Sequence, residues 1–217
     1  MTRRPRRPDL STDRAGVHPP GARRIPRRLV QLYAGLVLYG ITLGMLVRAE
    51  LGVTPWDVLH QGLSRQFGVS IGTVVIVVSV LLLLLWIPLR ERPGIGTVSN
   101  AIVVGLVLDA TLAVLPPVES MPLRVLLVLA GVLLNAVATA AYIGVHLGAG
   151  PRDGLMSGLV RRTGGSVRVV RTSIEVVVVL AGWLLGGTVG LGTVLYALAI
   201  GPLVQHLLPR LSVRLHR

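Results

Sequence analysis

Two aspartates of this chain recur with the same neighbours, 96 residues apart. The stretch LGVTPWDVL returns as LGAGPRDGL, so that Pro55 and Asp57 correspond to Pro151 and Asp153. We predict that each motif starts a helix, with Thr54 or Gly150 as N-cap, the proline first and the acid third, where a carboxylate complements the free N–H groups and the positive end of the helix dipole. Capping alone explains both aspartates, but a carboxylate that caps a helix can also line a binding site.

Three further ionisable residues fall within apolar stretches, where a charge is costly and marks a candidate site. Arg171 and Glu175 stand four residues apart, on one face of a helix and within reach of each other. They either form an ion pair that lets the helix insert, or serve a site in which Arg171 meets an anionic group while Glu175 holds it or exchanges a proton. Asp109 has no charged partner nearby in the sequence, and its counterpart in the second half is Gln205.

Six apolar stretches must position these residues. Each is long enough to cross a hydrocarbon layer of ~30 Å as a helix, and a backbone inside a bilayer must satisfy its own hydrogen bonds, which favours helices over strands. With 52% hydrophobic residues and a mean hydropathy of +0.73, the composition predicts an all-α integral membrane protein. The stretches are 29–47, 70–89, 97–116, 123–145, 169–186 and 193–209.

The arginines indicate how these helices are oriented. Residues 1–28 hold nine arginines and too few apolar residues for a core, which predicts a solvated basic tail near anionic lipid; residues 210–217 form a second basic tail. With the first tail in the cytoplasm, the basic loops fall on the same side. We therefore expect a multi-pass membrane protein with both termini in the cytoplasm. The charge of +13 does not indicate nucleic-acid binding, because no aromatic residue is interleaved with the arginines of the tail.

The two halves of the chain match without a gap at the offset of 96 residues, which indicates an internal duplication. Glycine, proline and aspartate recur, and random apolar sequence would not align these residue types. The turn GIGT also returns, as GLGT, and we interpret each copy as a tight turn between helices with the threonine as N-cap. The residues of this second motif are Gly94, Gly96, Thr97, Gly190, Gly192 and Thr193.

Each half, 29–116 and 123–209, contains three crossings, so the second half enters the membrane in the opposite sense. This predicts six transmembrane helices as two inverted three-helix repeats, each with a short amphipathic or re-entrant helix that begins at the Pro-Asp motif. If the motif segment itself crossed the membrane, the number of crossings would be even and the repeats would be parallel. Short segments interrupted by glycine or proline, at corresponding positions of inverted halves, are characteristic of transporter sites.

The sequence therefore favours a small permease for an unidentified small solute. The candidate binding residues are Asp57, Asp109, Arg152, Asp153, Arg171 and Glu175. The positive ends of the helices, together with Arg152 and Arg171, favour an anionic or zwitterionic solute. The negative charges of Asp57 and Asp153 oppose such a solute. The alternative is a non-transporting membrane regulator or assembly partner whose segment 147–168 docks another protein. Because the chain is small for enclosing a path, we also consider a homodimer.

Catalytic chemistry is not indicated. The chain has no cysteine, no nucleophile motif and no clustered metal ligands, so the sequence predicts neither an enzyme nor a metal or cofactor site.

Both repeated motifs have a family resemblance. The LGVTPWDVL helix start, the GIGT turn and their return as LGAGPRDGL and GLGT resemble the YczE/YyaS/YitT family of bacterial membrane proteins over roughly residues 27–210. The chain lacks the soluble C-terminal domain of YitT-type members and is similar to the short YczE branch. The resemblance implies a membrane protein and brings no established substrate. The second copy departs from the first, with Gly150 and Arg152 in place of Thr54 and Trp56.

Overall fold

The computed structural model describes residues 25–213, which form eight α-helices and no strand. The helices are α1 Ile25–Ala49, α2 Pro55–Phe67, α3 Ile71–Leu89, α4 Ile95–Val114, α5 Met121–Ile143, α6 Pro151–Thr163, α7 Val167–Leu184 and α8 Leu191–Leu211. Five of them, α1, α3, α4, α5 and α8, are long and apolar enough to cross a membrane. The all-helical architecture is confirmed, whereas a sixth crossing stays a prediction, because α7 carries Arg168, Arg171 and Glu175 within 18 residues.

The first and last helices extend into the segments predicted as basic tails. α1 begins at Ile25, so residues 25–28 are helical. The Arg28 guanidinium holds this end in place, since it donates to the carbonyl oxygen of Val145 at 2.9 and 2.7 Å. α8 continues to Leu211, past its predicted end at 209. The rest of both predicted tails, at 1–24 and 214–217, lies outside the described residues.

Helices α1 and α5 form the centre of the bundle and run antiparallel. Gly35 of α1 packs against the backbone of Tyr142, near the end of α5. Further along α1, the Thr42 hydroxyl accepts a hydrogen bond of 2.7 Å from the side-chain amide of Asn135, which lies earlier in α5. A side chain at Gly35 would crowd the facing backbone, so this small residue sets the close approach of the two helices.

The two halves pack in corresponding ways. α4 runs parallel to α1, because Tyr33 contacts Ser99 near their starts and Gly44 contacts Thr111 near their ends. α8 packs along α5 in the same manner. Each short helix packs on the other half: α2 lies against α7, and α6 lies against α3. These corresponding contacts are compatible with inverted repeats, and the repeat itself stays a prediction.

The two repeated motifs bind each other across the halves. The Gly96 N–H of the first GIGT turn donates to the carbonyl oxygen of Leu147 at 2.9 Å, and the Gly192 N–H donates to the carbonyl oxygen of Leu51 at 2.8 Å. A Cβ at Gly94 would lie 2.3 Å from the Leu147 oxygen, so only glycine fits there. The GxGT motif is therefore a docking surface for the loop that precedes the other half's short helix.

The prediction that the two motif threonines are N-caps is wrong. Gly94 and Gly190 are the N-caps of α4 and α8, while Thr97 and Thr193 are the third residues of these helices. Each threonine hydroxyl accepts the N–H of its glycine cap, at 3.1 and 3.3 Å. The docked backbone of the other half leaves no room for a side chain at the cap. The threonine in the first turn of the helix therefore makes the side-chain hydrogen bond at this helix start.

Helices α2 and α6 begin inside the bundle. Since α1 and α5 are antiparallel, the loops that follow them leave from opposite ends of the bundle. Yet Trp56 and Arg152, the second residues of α2 and α6, are in contact, with the guanidinium carbon 5.2 Å from the ring centre. Both loops must therefore turn back inward, and Gly52 and Gly148 make these turns with φ of 109° and 131°.

Candidate functional site

The polar face of α2 lies inside the protein. Asp57 and His60 are each 1% exposed, whereas Phe67 is 73% exposed. The helix starts as the sequence predicts, with Thr54 as N-cap, Pro55 first and Asp57 third. Burying the polar side chains of Asp57 and His60 while Phe67 is exposed is the reverse of what a water-exposed helix does. It is the arrangement expected where lipid surrounds the protein and the polar groups face an internal site.

The Asp57 carboxylate accepts bonds from its own helix start and from the next turn. The Thr54 hydroxyl donates to Oδ2 at 2.6 Å, and His60 Nδ1 lies 2.9 Å from Oδ1. From the other half, Arg152 places Nη2 3.9 Å from the same Oδ1. Burial by itself raises the pKa of the Asp57 carboxyl, but the bond from His60 and the charge of Arg152 together hold it below its ordinary value. Asp57 is therefore ionised.

His60 is the neutral partner in this pair. Burial lowers the pKa of the imidazole below its ordinary value, against the opposing effect of Asp57. A neutral imidazole beside a carboxylate carries its hydrogen on the nitrogen that faces it, so Nδ1 donates to Asp57. The other nitrogen, Nε2, is buried and has no hydrogen-bond partner in the part of the chain that the structure describes.

The Arg152 guanidinium has hydrogen-bonding capacity to spare. It lies over the Trp56 ring in a cation–π contact and forms the 3.9 Å ion pair with Asp57. Within residues 25–213 no group accepts a hydrogen bond of ordinary length from it. A guanidinium has five N–H donors. Because the side chain of Arg152 is 21% exposed, these donors are open to a ligand.

Asp153 occupies the matching place in α6, with Gly150 as N-cap and Pro151 first, as predicted. The Tyr142 hydroxyl donates to its Oδ2 at 3.1 Å, and Oδ1 has no partner among the described residues. Burial raises the pKa of the Asp153 carboxyl, and the Tyr142 bond and the Arg152 charge oppose that rise. The two corresponding aspartates thus differ: Asp57 is enclosed by partners, while Asp153 keeps a free oxygen.

A cavity of about 240 Å³ opens beside Arg152 and Asp153. Its wall includes the Arg171–Glu175 pair, whose Nε and Oε1 atoms are 2.9 Å apart. It also includes three of the four tyrosines of the chain: Tyr39, Tyr142 and Tyr196. The structure therefore brings four of the predicted binding residues around one cavity, and Asp57 joins them through its ion pair with Arg152.

A smaller cavity of about 50 Å³ reaches the same residues along α3 and α4. Tyr39, Tyr142, Arg152 and Asp153 line both cavities. The residues that α3 and α4 contribute to the small cavity correspond, at the offset of 96, to residues that α7 and α8 contribute to the large one. The first set is Val75, Ser79, Asn100 and Val104, and the second is Arg171, Glu175, Tyr196 and Ile200. Two repeat-related cavities thus meet at Arg152 and Asp153.

The cavities differ in size because α3 packs closely on α4, whereas no comparable packing joins α7 to α8 in the described residues. A Cβ at Gly72 would lie 2.1 Å from the Gly105 carbonyl oxygen, so the two backbones touch there. The corresponding residues are Arg168 and Gly201, and a Cβ at Gly201 would meet nothing within 4 Å. Arg168 stands where the first half has Gly72, and the close backbone contact of α3 with α4 has no counterpart between α7 and α8 among the described residues.

Residues 26–209 match the model of a family of unknown function, DUF6198. The chain belongs to the DUF6198 family. It is 46% identical to an uncharacterized protein of Haemophilus influenzae, over 82% of this chain and 81% of the relative. It is 32% identical to the uncharacterized membrane protein YczE of Bacillus subtilis, over 82% and 84%, and 25% identical to YyaS of the same organism, over 81% and 89%. No solved structure matches it.

These matches confirm the resemblance to YczE and YyaS. The DUF6198 chain is a membrane protein, because five of its helices have the length and apolar character of membrane spans and its relative YczE is a membrane protein.

Asp109, the sixth predicted binding residue of this DUF6198 chain, lies apart from the others. Its carboxylate accepts the Ser70 hydroxyl at 2.6 Å and the Gly72 N–H at 2.8 Å, so it caps the start of α3. Its counterpart Gln205 does line the larger cavity. The two corresponding polar residues therefore have different roles: Asp109 caps a helix start in the first half, and Gln205 lines the cavity in the second.

The tyrosines of this DUF6198 site are not among the residues predicted from the sequence, although a signal for them exists. Tyr39 corresponds to Asn135, and Asn100 corresponds to Tyr196, so the halves exchange tyrosine and asparagine at two positions. The Tyr196 hydroxyl donates to the Asn135 side-chain oxygen at 2.8 Å, and Tyr39 and Asn100 both line the smaller cavity. A comparison of the polar residues at corresponding positions of the two halves would therefore identify these four residues.

Proposed function

We propose that this DUF6198 protein is a small permease of the bacterial cytoplasmic membrane and not an enzyme. It is multi-pass, has both termini in the cytoplasm and moves a small solute through the two cavities that meet at Arg152 and Asp153. The observation that carries the proposal is this meeting of two repeat-related cavities at the starts of two short helices. Sites of this kind, between repeats and at the ends of discontinuous helices, are used by inverted-repeat transporters.

The unequal cavities support alternating access. The larger one includes Arg171 near the start of α7 and Gln205 near the end of α8, and both of these ends face the cytoplasm in the proposed topology. In this proposal the inward-open state has the larger cavity open, and the Gly72–Gly105 contact closes the opposite side. Outward opening separates α3 from α4 and brings α7 towards α8.

Dimerisation is a separate part of the proposal. The small size of the chain is the reason to consider a homodimer. Light scattering of the purified protein in detergent distinguishes a monomer from a dimer without reference to transport.

Uptake into proteoliposomes tests the permease. Labelled small anions, zwitterions and cations are offered to the reconstituted wild type, and saturable uptake of at least one is expected. Asp57→Asn, Asp153→Asn and Glu175→Gln should each lower that uptake at least tenfold. Glu119→Gln is the matched control, since it removes an exposed carboxylate in the segment between α4 and α5. Unchanged uptake in all three cavity variants would show that the site is misplaced, and no uptake of any solute class would exclude the permease.

The second candidate function, a regulator that docks another protein through residues 147–168, has support from one exposed feature. Leu147 and Gly148 already bind the GIGT turn of the first half, whereas Arg161 and Arg162 at the end of α6 are exposed. Arg161 pairs with Glu91 at 2.6 Å, and the exposed Arg162 keeps this end of α6 basic. Reversing Arg161 and Arg162 to Glu would abolish such a docking function and leave transport unharmed.

A further inference from the structure

The larger cavity contains one place built for an anion. Arg152 presents its unused N–H donors there, and a guanidinium pairs with a carboxylate through two parallel hydrogen bonds. The starts of α2 and α6 meet beside it, so the positive ends of both helix dipoles lie close to this group. The carboxylate of Asp57, at 3.9 Å, is already occupied by Thr54 and His60 and does not neutralise Arg152 in a hydrogen-bonded pair.

The same cavity contains one place for a cation. Asp153 directs its carboxylate to this space, with one oxygen held by Tyr142 and the other without a partner among residues 25–213. The rings of Tyr39, Tyr142 and Tyr196 surround the site, and aromatic faces attract ammonium groups. Because Arg152 and Asp153 are consecutive residues in the first turn of α6, the cation and anion places are adjacent.

The charges of the cavity wall balance. Arg152 and Arg171 supply two positive charges, and Asp153 and Glu175 supply two negative ones. Arg171 and Glu175 neutralise each other at 2.9 Å. Asp57 lies outside this wall, 3.9 Å from Arg152, and partly offsets the charge of Arg152 without using its N–H donors. A purely anionic occupant would leave the Asp153 carboxylate unpaired, and a purely cationic one would leave those donors unused; both outcomes are costly in a confined space. An occupant that carries both charges satisfies Arg152 and Asp153 together.

We propose, on the basis of the permease assignment above, that the solute is a small amino-acid-like zwitterion. Its carboxylate pairs with Arg152, and its ammonium group pairs with Asp153 among the three tyrosines. A cavity of about 240 Å³ is smaller than the ~300–1,000 Å³ of sites for drug-sized ligands, which suits a solute of a few heavy atoms.

Matched probes test the charge class. Glycine, β-alanine and γ-aminobutyrate cover three charge separations, and each is compared with the acid that lacks its amine and the amine that lacks its acid. Binding is followed by the fluorescence of Trp56, which contacts Arg152, with Trp56→Phe as the reference for the other two tryptophans. At least one zwitterion should bind tenfold or more tightly than both its matched acid and its matched amine. If no zwitterion does so, or if an acid or amine binds equally well, the proposal is overturned.

Variants assign the two charges. Arg152→Gln should weaken binding of the preferred zwitterion at least tenfold, and Arg152→Lys should restore part of it, because an ammonium group provides charge without the planar fork. Asp153→Asn should abolish the preference for the zwitterion over its matched acid, whereas Asp109→Asn should keep that preference. A thermal unfolding midpoint within a few degrees of the wild type identifies the folded variants. An unaltered preference in folded Asp153→Asn would contradict the assignment.

The binding experiment tests the charge class of the solute, and the uptake experiment tests the permease, so either proposal can be wrong without the other. Selective binding of a zwitterion without uptake into proteoliposomes would support the charge class and exclude the permease. Uptake confined to anions or to cations would support the permease and overturn the charge class.

Discussion

Trp56 and Arg152 occupy the same position in the two halves of the chain and contact each other, with 5.2 Å between the guanidinium carbon and the ring centre. Corresponding residues of a duplicated chain touch only near the axis that relates the halves. The centre of the protein is therefore chemically asymmetric, with an aromatic ring from one half and a cation from the other. Two arginines would repel each other at this place, and two tryptophans would leave no charge for a ligand.

Alanine at two corresponding glycines should have opposite effects on stability. Gly105→Ala places a Cβ 2.5 Å from the Gly72 carbonyl oxygen, so the free energy of unfolding should fall by about 1–3 kcal/mol. Gly201→Ala places its Cβ in open space within α8, so stability should hold or rise by up to ~1 kcal/mol, the helix propensity gained. Thermal unfolding in detergent compares the two variants. Equal destabilisation of both would contradict the difference in packing between α3–α4 and α7–α8.

The hydroxyl of Tyr196 should contribute to stability, unlike that of Tyr33. Tyr196→Phe removes the donor to the buried Asn135 oxygen, which then lacks that partner, so unfolding should become easier by about 1–2 kcal/mol. Tyr33→Phe removes a hydroxyl that is exposed and bonds Ser99, and should change stability by less than ~0.5 kcal/mol. Thermal midpoints of the two proteins measure the difference. A larger loss in the Tyr33 variant would argue against the buried network.

The inverted orientation of the two halves can be tested with single cysteines, since the natural chain has none. Val69 and Gly165 are corresponding residues, each just past the end of a short helix. Val69→Cys should react with an impermeant thiol reagent added outside intact cells, and Gly165→Cys should react only after the membrane is opened. Labelling of both from the same side would exclude inverted repeats.

Acid should destabilise the protein through His60. Its pKa is lower in the folded chain than the ordinary value of 6.5, mainly because the imidazole is buried. Between these two values the unfolded chain binds a proton that the folded chain does not, so stability rises with pH in this window and is complete above about 6.5. The thermal midpoint should therefore fall as pH drops below about 6.5.

The control separates this buried histidine from an exposed one. His60→Gln should flatten the pH dependence of the midpoint, whereas His206→Gln, which changes an exposed side chain of α8, should leave its slope in place. An unchanged slope in the His60 variant would assign the acid sensitivity to other groups.

Local signals in the sequence predicted the helix starts well. The caps, the first proline and the third-position acid of α2 and α6 depend on neighbouring residues, and all of them are found where predicted. The role of the GxGT motif could not be predicted in this way, because its partner lies in the other half. The threonine caps are wrong for that reason: the docked backbone excludes a side chain at Gly94.

The site was predicted in part. Arg152, Asp153, Arg171 and Glu175 surround one cavity. Asp109 is separate because its distance from the cavity depends on how α4 packs on α3, which residue type alone does not specify. The tyrosines could not be predicted from a single apolar stretch, because nothing within that stretch distinguishes them from residues that only pack.

The reciprocal docking of Gly96 on Leu147 and of Gly192 on Leu51 means that neither half completes itself. A lone half would leave a helix cap and a loop carbonyl without their partners. Each half therefore supplies the loop that completes the start of the other half's last helix, so the two halves must fold together.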